Sequence, residues 1–258
     1  MIKNYHSILT LILSIFFYSF QNGQSQDLAY DKKGIFIDLN LGAGLPIGQL
    51  KERFGFHQII GGGLSYEPPQ GKSMSLGVKY SFGFGNTVHE DVLGPYRTTD
   101  LGQIIGEDGL LNNVQLKERA MWVHVYTGKI WTMGRQDIAT HGLSWKLGLG
   151  FLQHRIRIQD DARSATQLNT DFRKGLDRLT NGFSILGFLG YEFRSHSGRV
   201  NFYTGFEPIL GFTEIRRSFN YDLQNSTLGI GRKDLVLNFK FGWYLPFFIK
   251  DDSALIEY

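Results

Sequence analysis

The chain has 258 residues, 42% hydrophobic and 20% charged, with no cysteine and a formal net charge of +3. A cysteine-free chain cannot be a disulfide scaffold, a thiolate zinc protein, a thiol enzyme or a lipid-anchored lipoprotein, and so small a net charge makes no case for nucleic acid. Abundant Gly (32), Phe (21) and Tyr (12) beside only 6 Pro suit strands and tight turns better than disorder.

Lys3 precedes an apolar run of 13 residues, Ile8 to Phe20, and polar Gln21 to Gln26 follows. This is the layout of a secretory signal peptide. Gly23 and Ser25 place small residues where a signal peptidase needs them, so cleavage is expected after Ser25 and residues 1–25 stand outside the fold. The run is short for a spanning helix. No second stretch is as apolar, which excludes a polytopic helical membrane protein.

The remainder reads in period two, the spacing that sends alternate strand side chains to opposite faces. Ile35, Ile37, Leu39, Leu41 and Ala43 alternate with Phe36, Asp38, Asn40 and Gly42. Ile60, Leu64 and Tyr66 share a face with Gly62. Met74, Leu76, Val78, Tyr80, Phe82 and Phe84 alternate with Ser, Gly and Lys79. Near 119–130, Met121, Val123 and Val125 are assigned to the apolar face and Trp122, His124 and Tyr126 to the other. Leu143, Trp145, Leu147, Leu149 and Phe151 alternate around Lys146; Phe183, Ile185, Leu189, Tyr191 and Phe193 around Glu192. Val200, Phe202, Thr204 and Phe206 precede Glu207, and Leu235, Leu237, Phe239, Phe241, Trp243 and Leu245 alternate around Lys240. That makes eight strands, most about 10 to 12 residues long. A tilted strand needs roughly 9–11 residues to cross a bilayer, whereas globular strands run about 5–6.

Connectors alternate in length. Residues 67–73 and 194–199 read as tight turns, and 86–118, 159–182 and 213–233 as long loops; 45–56 is short for an external loop and 131–141 long for a turn. Short periplasmic turns and longer external loops mark outer-membrane barrels. Two features turn the apolar face outward. The opposite face is mostly Gly, Ser and Asn, as a packed lumen requires. Aromatics also fall into two tiers: Tyr66, Trp145, Tyr191, Phe193, Trp243 and Phe247 near one rim, and Phe84, Phe151, Phe183 and Phe212 near the other. Such girdles flank the apolar band of membrane barrels. By parity Asp38, Lys79, Lys146, Glu192, Glu207 and Lys240 face inward, where a balanced structural ion network is expected because an unpaired buried charge is costly. Pro208 lacks the N–H that a closed barrel needs, so a bulge near Glu207–Ile209, or a strand leaving the membrane there, is expected.

Nothing in the motif content assembles a reaction. His6, His57, His89, His124, His141, His154 and His196 are scattered, without a metal spacing or an obvious Ser and acid at one height. Gly42-x-Gly44 is followed by Gly48, one residue too late for a dinucleotide fingerprint, and no helix is expected after it. The loops are richer. Residues 155–178 carry Arg155, Arg157, Arg163, Arg173, Lys174 and Arg178, and the last loop adds Arg216, Arg217, Arg232 and Lys233, with Asp160, Asp161, Asp171 and Asp177 interspersed. Guanidinium forks suit phosphates and carboxylates, so Arg155, Arg157, Arg173, Lys174, Arg216 and Arg217 are the candidate contacts for lipopolysaccharide or a protein partner. Leu168, Phe172, Leu176 and Leu179 fall near helical spacing, consistent with a short amphipathic helix that docks a partner or caps the barrel, and Gly175 limits its length.

The blocks Gly175-Leu-Asp-Arg-Leu-Thr-Asn-Gly-Phe183, Asn201-Phe-Tyr-Thr-Gly-Phe-Glu207 and Arg216-Arg-Ser-Phe-Asn-Tyr-Asp222 resemble those of small outer-membrane β-barrel proteins common in Bacteroidota. In pattern the whole mature chain is similar to the eight-stranded OmpA/OmpX-like class. The resemblance implies location and fold more than activity. One departure is the ending: such barrels close on an aromatic residue of the last strand, and here Phe247 and Phe248 are followed by Ile249 to Tyr258.

The expectation is therefore an all-β, eight-stranded, antiparallel up-and-down transmembrane barrel over 26–248, with long external loops and a periplasmic tail, 249–258. It is placed in the cell outer membrane, without cofactor or metal, among outer-membrane lipid and lipopolysaccharide. A non-enzymatic structural or interaction role is expected, one form of it an accessory to a secretion or assembly machine through the loops. A lipid A or phospholipid modifying enzyme and a narrow channel are the alternatives.

Overall fold

In–out alternation gives each strand one face for hydrocarbon and one for the lumen, and closing the sheet removes the edges that lipid could not satisfy. The computed structural model describes residues 33–68, 74–133, 139–161, 164–195 and 200–249. The expected signal segment 1–25 and the tail beyond Ile249 lie outside these residues. Eight strands build the barrel: β1 (Gly34–Gly48), β2 (His57–Glu67), β3 (Ser75–Gly85), β4 (Gln115–Thr132), β5 (Ala139–Gln159), β6 (Thr180–Ser195), β7 (Asn201–Ile215) and β8 (Gly231–Phe248). Each pairs antiparallel with its neighbours in the chain, and β1 pairs β8 from Gly34↔Phe248 to Gly48↔Asp234 to close the ring. The last strand thus stands where the sequence placed it.

Several strands outrun their expected bounds. β5 has 21 residues, and β4 and β8 have 18 each. The connector expected over 131–141 shrinks accordingly to 133–138, since β4 and β5 consume its ends. The β2–β3, β4–β5 and β6–β7 junctions lie at the end of the barrel where β1 begins and β8 ends; connectors 49–56, 86–114, 160–179 and 216–230 share the other end. In the first of these, Gly48 (φ +63°) turns the chain directly from β1 into a five-residue helix, α1 (Gln49–Arg53). A helix does follow those glycines, contrary to expectation.

The barrel is apolar outside and polar inside. Leu41, Leu64, Leu147 and Leu149 are 56–61% exposed, whereas Lys79 and Lys240 are at most 1% exposed. In water every such leucine would forgo about 1.5–3 kcal/mol of burial, so this belt belongs in hydrocarbon. Aromatics border it. Phe151, Phe183 and Phe212 are successive cross-strand neighbours towards the loop end. Towards the other end Phe193, Phe202 and Phe241 stack at 5.3 and 6.1 Å.

Beyond the loop-side aromatics the polarity inverts. On β5, Arg155 and Arg157 take over the outer face while Ile156 and Ile158 turn inward and are buried. There the loops fold into a cap with an ordinary hydrophobic core, in which Leu50, Phe54, Val92, Leu93, Leu168 and Leu176 join Ile156 and Ile158. The expected helix is α2 (Thr170–Lys174): Asn169 caps it by accepting from the Phe172 N–H at 2.9 Å, and Gly175 ends it. Phe172 then stacks on Tyr221 at 5.0 Å.

The expectation for Pro208 is corrected. β7 neither bulges nor departs. Its register with β6 is the same on both sides, Leu186↔Ile209 and Leu189↔Phe206, and the ladder simply lapses between them. Gly187 faces the gap, where a Cβ would lie 3.5 Å from the proline ring. A missing donor is tolerated because the opposing residue keeps clear of the ring, so no extra residue is needed.

Leu41 sits mid-strand on the outward face. Leu41→Lys is expected to destabilise the barrel by about 2–4 kcal/mol, the cost of a cation near the bilayer midplane. Reversible urea unfolding from lipid vesicles measures this; unchanged stability would show that Leu41 does not face hydrocarbon.

Candidate functional site

The lumen fills from the strand parity upward. Along β4 the inward positions are, in order towards the loops, Tyr126, His124, Trp122, Ala120 and Glu118, all buried. Room for the aromatics comes from glycines directly across the ladder. A Cβ on Gly77 would lie 2.6 Å from the Tyr126 ring, and one on Gly242 would lie 2.1 Å from the Tyr203 ring. Tyr203, Tyr244, Phe188 and Phe36 pack together as a second inward cluster.

Cations thread this aromatic layer. Lys146 Nζ stands 4.7 Å from the Tyr203 ring centre and 5.1 Å from those of Phe188 and Tyr244, contacts that a desolvated ammonium finds favourable. Its carboxylate, Glu192, lies at 3.8 Å and also binds Arg194, which in turn reaches Glu67 at 3.1 Å. One layer on, Glu207 bridges Lys79 at 2.9 Å and Lys240 at 2.6 Å. Asp38 accepts from Asn40 Nδ2 at 3.0 Å and the Tyr203 hydroxyl at 3.1 Å. The six residues expected inside, Asp38, Lys79, Lys146, Glu192, Glu207 and Lys240, are all buried there. Glu67 and Arg194 complete the balance, four carboxylates against four cations. The sequence reading missed these two because both lie at strand ends beyond the expected bounds.

Above the ions a hydrophobic plug of Ile59, Trp122, Leu152, Leu186 and Ile209 closes the bore. Above that, His154 Nε2 stands 2.8 Å from Asp234, which also accepts from Thr213 at 2.5 Å, and His57 stands 3.3 Å from Glu118.

The cap is locked by one ionic node that draws a residue from each of the four connectors at this end. Glu90 holds Arg53 of α1 at 2.8 Å and Arg178 of the third loop at 2.6 Å, and Arg178 reaches Asp222 of the fourth at 2.5 Å. Arg178, one of the basic residues counted over 155–178, is 2% exposed. Burial opposes ionisation of Glu90, but the Arg53 and Arg178 guanidiniums outweigh it and hold the carboxyl below the ordinary glutamate range.

Of the expected contact residues, Arg155, Arg157, Arg173, Lys174 and Arg217 line one groove of about 460 Å³ outside the barrel wall, together with Arg119, which was not foreseen. Arg216 stands apart, bonded to Asn181 at 2.7 Å and Glu214 at 3.1 Å. Arg163 lies outside the described residues, and Arg232 belongs to β8.

A latent catalytic pair does occur inside. His124 Nε2 is 2.9 Å from Ser184 Oγ. Nδ1 finds no partner among the described residues, so no acid orients the ring as a triad requires, and the plug and ion layers enclose the pair. Among the described residues no group of three or more His, Asp or Glu is disposed to hold a metal.

A closed antiparallel barrel with a lipid-facing exterior is the architecture of the cell outer membrane, and this chain is such a barrel. No family profile matches it, and no curated protein does. Among solved structures, Neisserial surface protein A is similar over 83% of this chain and 97% of its own, at 9% identity and a TM-score of 0.44. Ail, the attachment invasion locus protein of Yersinia pestis, is similar over 84% and 99%, at 9% identity and a TM-score of 0.39. The N-terminal β-barrel domain of Pseudomonas aeruginosa OprF is similar over 83% and 98%, at 9% identity and a TM-score of 0.32. These similarities are too slight to carry any property to this chain.

Two outcomes follow from the buried ions. Glu207→Gln leaves Lys79 and Lys240 without their shared counter-charge and should destabilise the barrel by about 3–5 kcal/mol, read by urea unfolding in vesicles. The cap should loosen in acid: a carboxyl whose value is depressed in the folded state contributes stability above its ordinary range, and that stability is lost as pH falls through the depressed value. Hydrogen exchange over 86–114 should accelerate only below the ordinary glutamate range, and Glu90→Gln should show the fast exchange already at pH 7. Equal protection in both proteins at pH 7 would remove Glu90 from the clamp.

Proposed function

We propose that this protein is a non-enzymatic interaction component of the outer membrane, working through its external face and not through its bore. The carrying observation is the lumen packed with buried apolar, aromatic and paired ionic side chains. Plug, aromatics and paired ions are buried in the lumen among the described residues, and eight strands leave space for little else. Among the described residues His124 and Ser184 are buried between the plug and the paired ions, which argues against a substrate path to the pair or an ion path along the bore. What is left accessible is the cap and the basic groove at its base.

The nearest anions at that height are the phosphates of lipopolysaccharide, and Arg155, Arg157, Arg173, Lys174 and Arg217 are the groups that meet them. A Bacteroidota cell and an accessory place beside a secretion or assembly machine fit this reading: a rigid, clamped cap is a platform that a partner can dock on without first ordering it. The sequence resemblance supports the first, and the cap the second.

Purified protein in planar bilayers should give no conductance steps, and vesicles containing lipid A should retain it more than neutral vesicles do, with the excess removed by salt. Discrete conductance steps would overturn the packed-lumen reading. Equal retention by neutral vesicles would overturn the lipopolysaccharide contact.

A further inference from the structure

The outer faces of β4 and β5 change character in regular steps. Val123 lies opposite Phe151, Met121 opposite Gln153, Arg119 opposite Arg155, and Lys117 opposite Arg157. Two successive outward rungs therefore set cation against cation. Like charges directly opposite destabilise a sheet, so this arrangement costs stability.

The neighbourhood does not relieve it. Among the described residues no carboxylate pairs with Arg119, Arg155, Arg157 or Arg173. Asp177, which also lines the groove, is engaged by Arg217 Nε and Nη2, at 2.8 and 2.5 Å, and Asp171 by Lys174 at 2.8 Å. The Glu118 side chain points inward to His57, leaving only its carbonyl to accept from Arg119 at 2.6 Å. Helix α2 instead adds a further cation: Arg173 overhangs the groove with its Nε buried and without a partner among the described residues. Four cations, Arg119, Arg155, Arg157 and Arg173, thus line the groove with no carboxylate partner of their own among the described residues, and Lys117 stands opposite Arg157 beside them.

Height selects the ligand. Each outward rung advances two residues, about 6.6–6.8 Å along the strand, so Arg119 and Arg155 stand about 13 Å along the strands beyond Val123 and Phe151. The groove floor includes Met121 and Phe82, which are cross-strand partners continuous with the lipid-facing surface. An anion held here has hydrocarbon directly below it.

We propose that the groove between the β4–β5 wall and α2 seats a phosphate monoester carried by an outer-leaflet lipid. The inference deepens the proposed contact with lipopolysaccharide and rests on it, adding a defined seat and a class of phosphate. A monoester carries nearly two charges and three acceptor oxygens, which suits converging guanidinium forks; a phosphodiester headgroup offers one charge and two free oxygens. Arg216 has no part in the seat.

The test uses the full chain in phosphatidylcholine vesicles doped with lipid A, or with phosphatidylglycerol at equal total charge, with inorganic phosphate as competitor. Lipid A should bind at least tenfold tighter than phosphatidylglycerol, and millimolar phosphate should not displace it. Arg119→Gln/Arg157→Gln should weaken lipid A binding at least tenfold, and Arg216→Gln should leave it unchanged, with folding of each variant checked by the gel mobility shift between unheated and boiled samples. Arg155→Glu covers a failure of the double variant to fold: it should raise the melting temperature in nonionic detergent, by removing the Arg119–Arg155 repulsion, while losing lipid A. Groove variants that bind as well as Arg216→Gln would overturn the seat and leave the wider contact standing. Wild-type protein that ignores lipid A would overturn both. Equal binding of phosphatidylglycerol would overturn the monoester assignment, and full displacement by phosphate would overturn the lipid source.

Discussion

Hydrocarbon on the outside is the constraint from which the remaining features follow. It turns the mid-strand apolar belt outward, so the lumen receives, beside its apolar plug, charged groups that a soluble protein keeps on its surface. Water cannot satisfy those groups in so narrow a bore, and each must find a partner within it. Glu207 between Lys79 and Lys240, and Glu192 among Lys146 and Arg194, are the solution. Aromatic rings complete it, lying over the ammonium groups and resting on glycines across the ladder.

The same constraint explains where the architecture changes hands. Past the Phe151–Phe183–Phe212 row the outside is wet again, and the ordinary rule returns within a few residues of one strand. Phe151 faces lipid, Arg155 faces water, and Ile156 enters a conventional core. The cap is therefore a small soluble-type domain built on a membrane protein. Its clamp, Glu90 with Arg53 and Arg178, ties loops distant in sequence but gathered at one rim by the barrel's closure.

Fold class was legible because period two is a local signal repeated eight times, and because the direction of the apolar face shows in the residues opposite it. Strand ends were not legible. Where β4 and β5 leave the membrane their inner and outer faces exchange character, so a pattern tuned to lipid stops too soon at Phe151 although the ladder runs on to Gln159. Pro208 misled for a related reason. Its missing donor was visible, but the accommodating Gly187 belongs to a neighbouring strand. Among the basic residues, spacing alone could not separate Arg178, buried in the clamp, or Arg216, turned aside, from those that share the groove.

Sequence by itself determined the solvent on each face of every strand, hence a barrel in a membrane, since alternation is written residue by residue along the chain. Only the tertiary structure decided which charges meet. Partners such as Lys79 and Glu207, or Arg119 and Arg155, are set by register and closure. Those depend on how strands distant in the chain are brought side by side, and no local spacing carries that information.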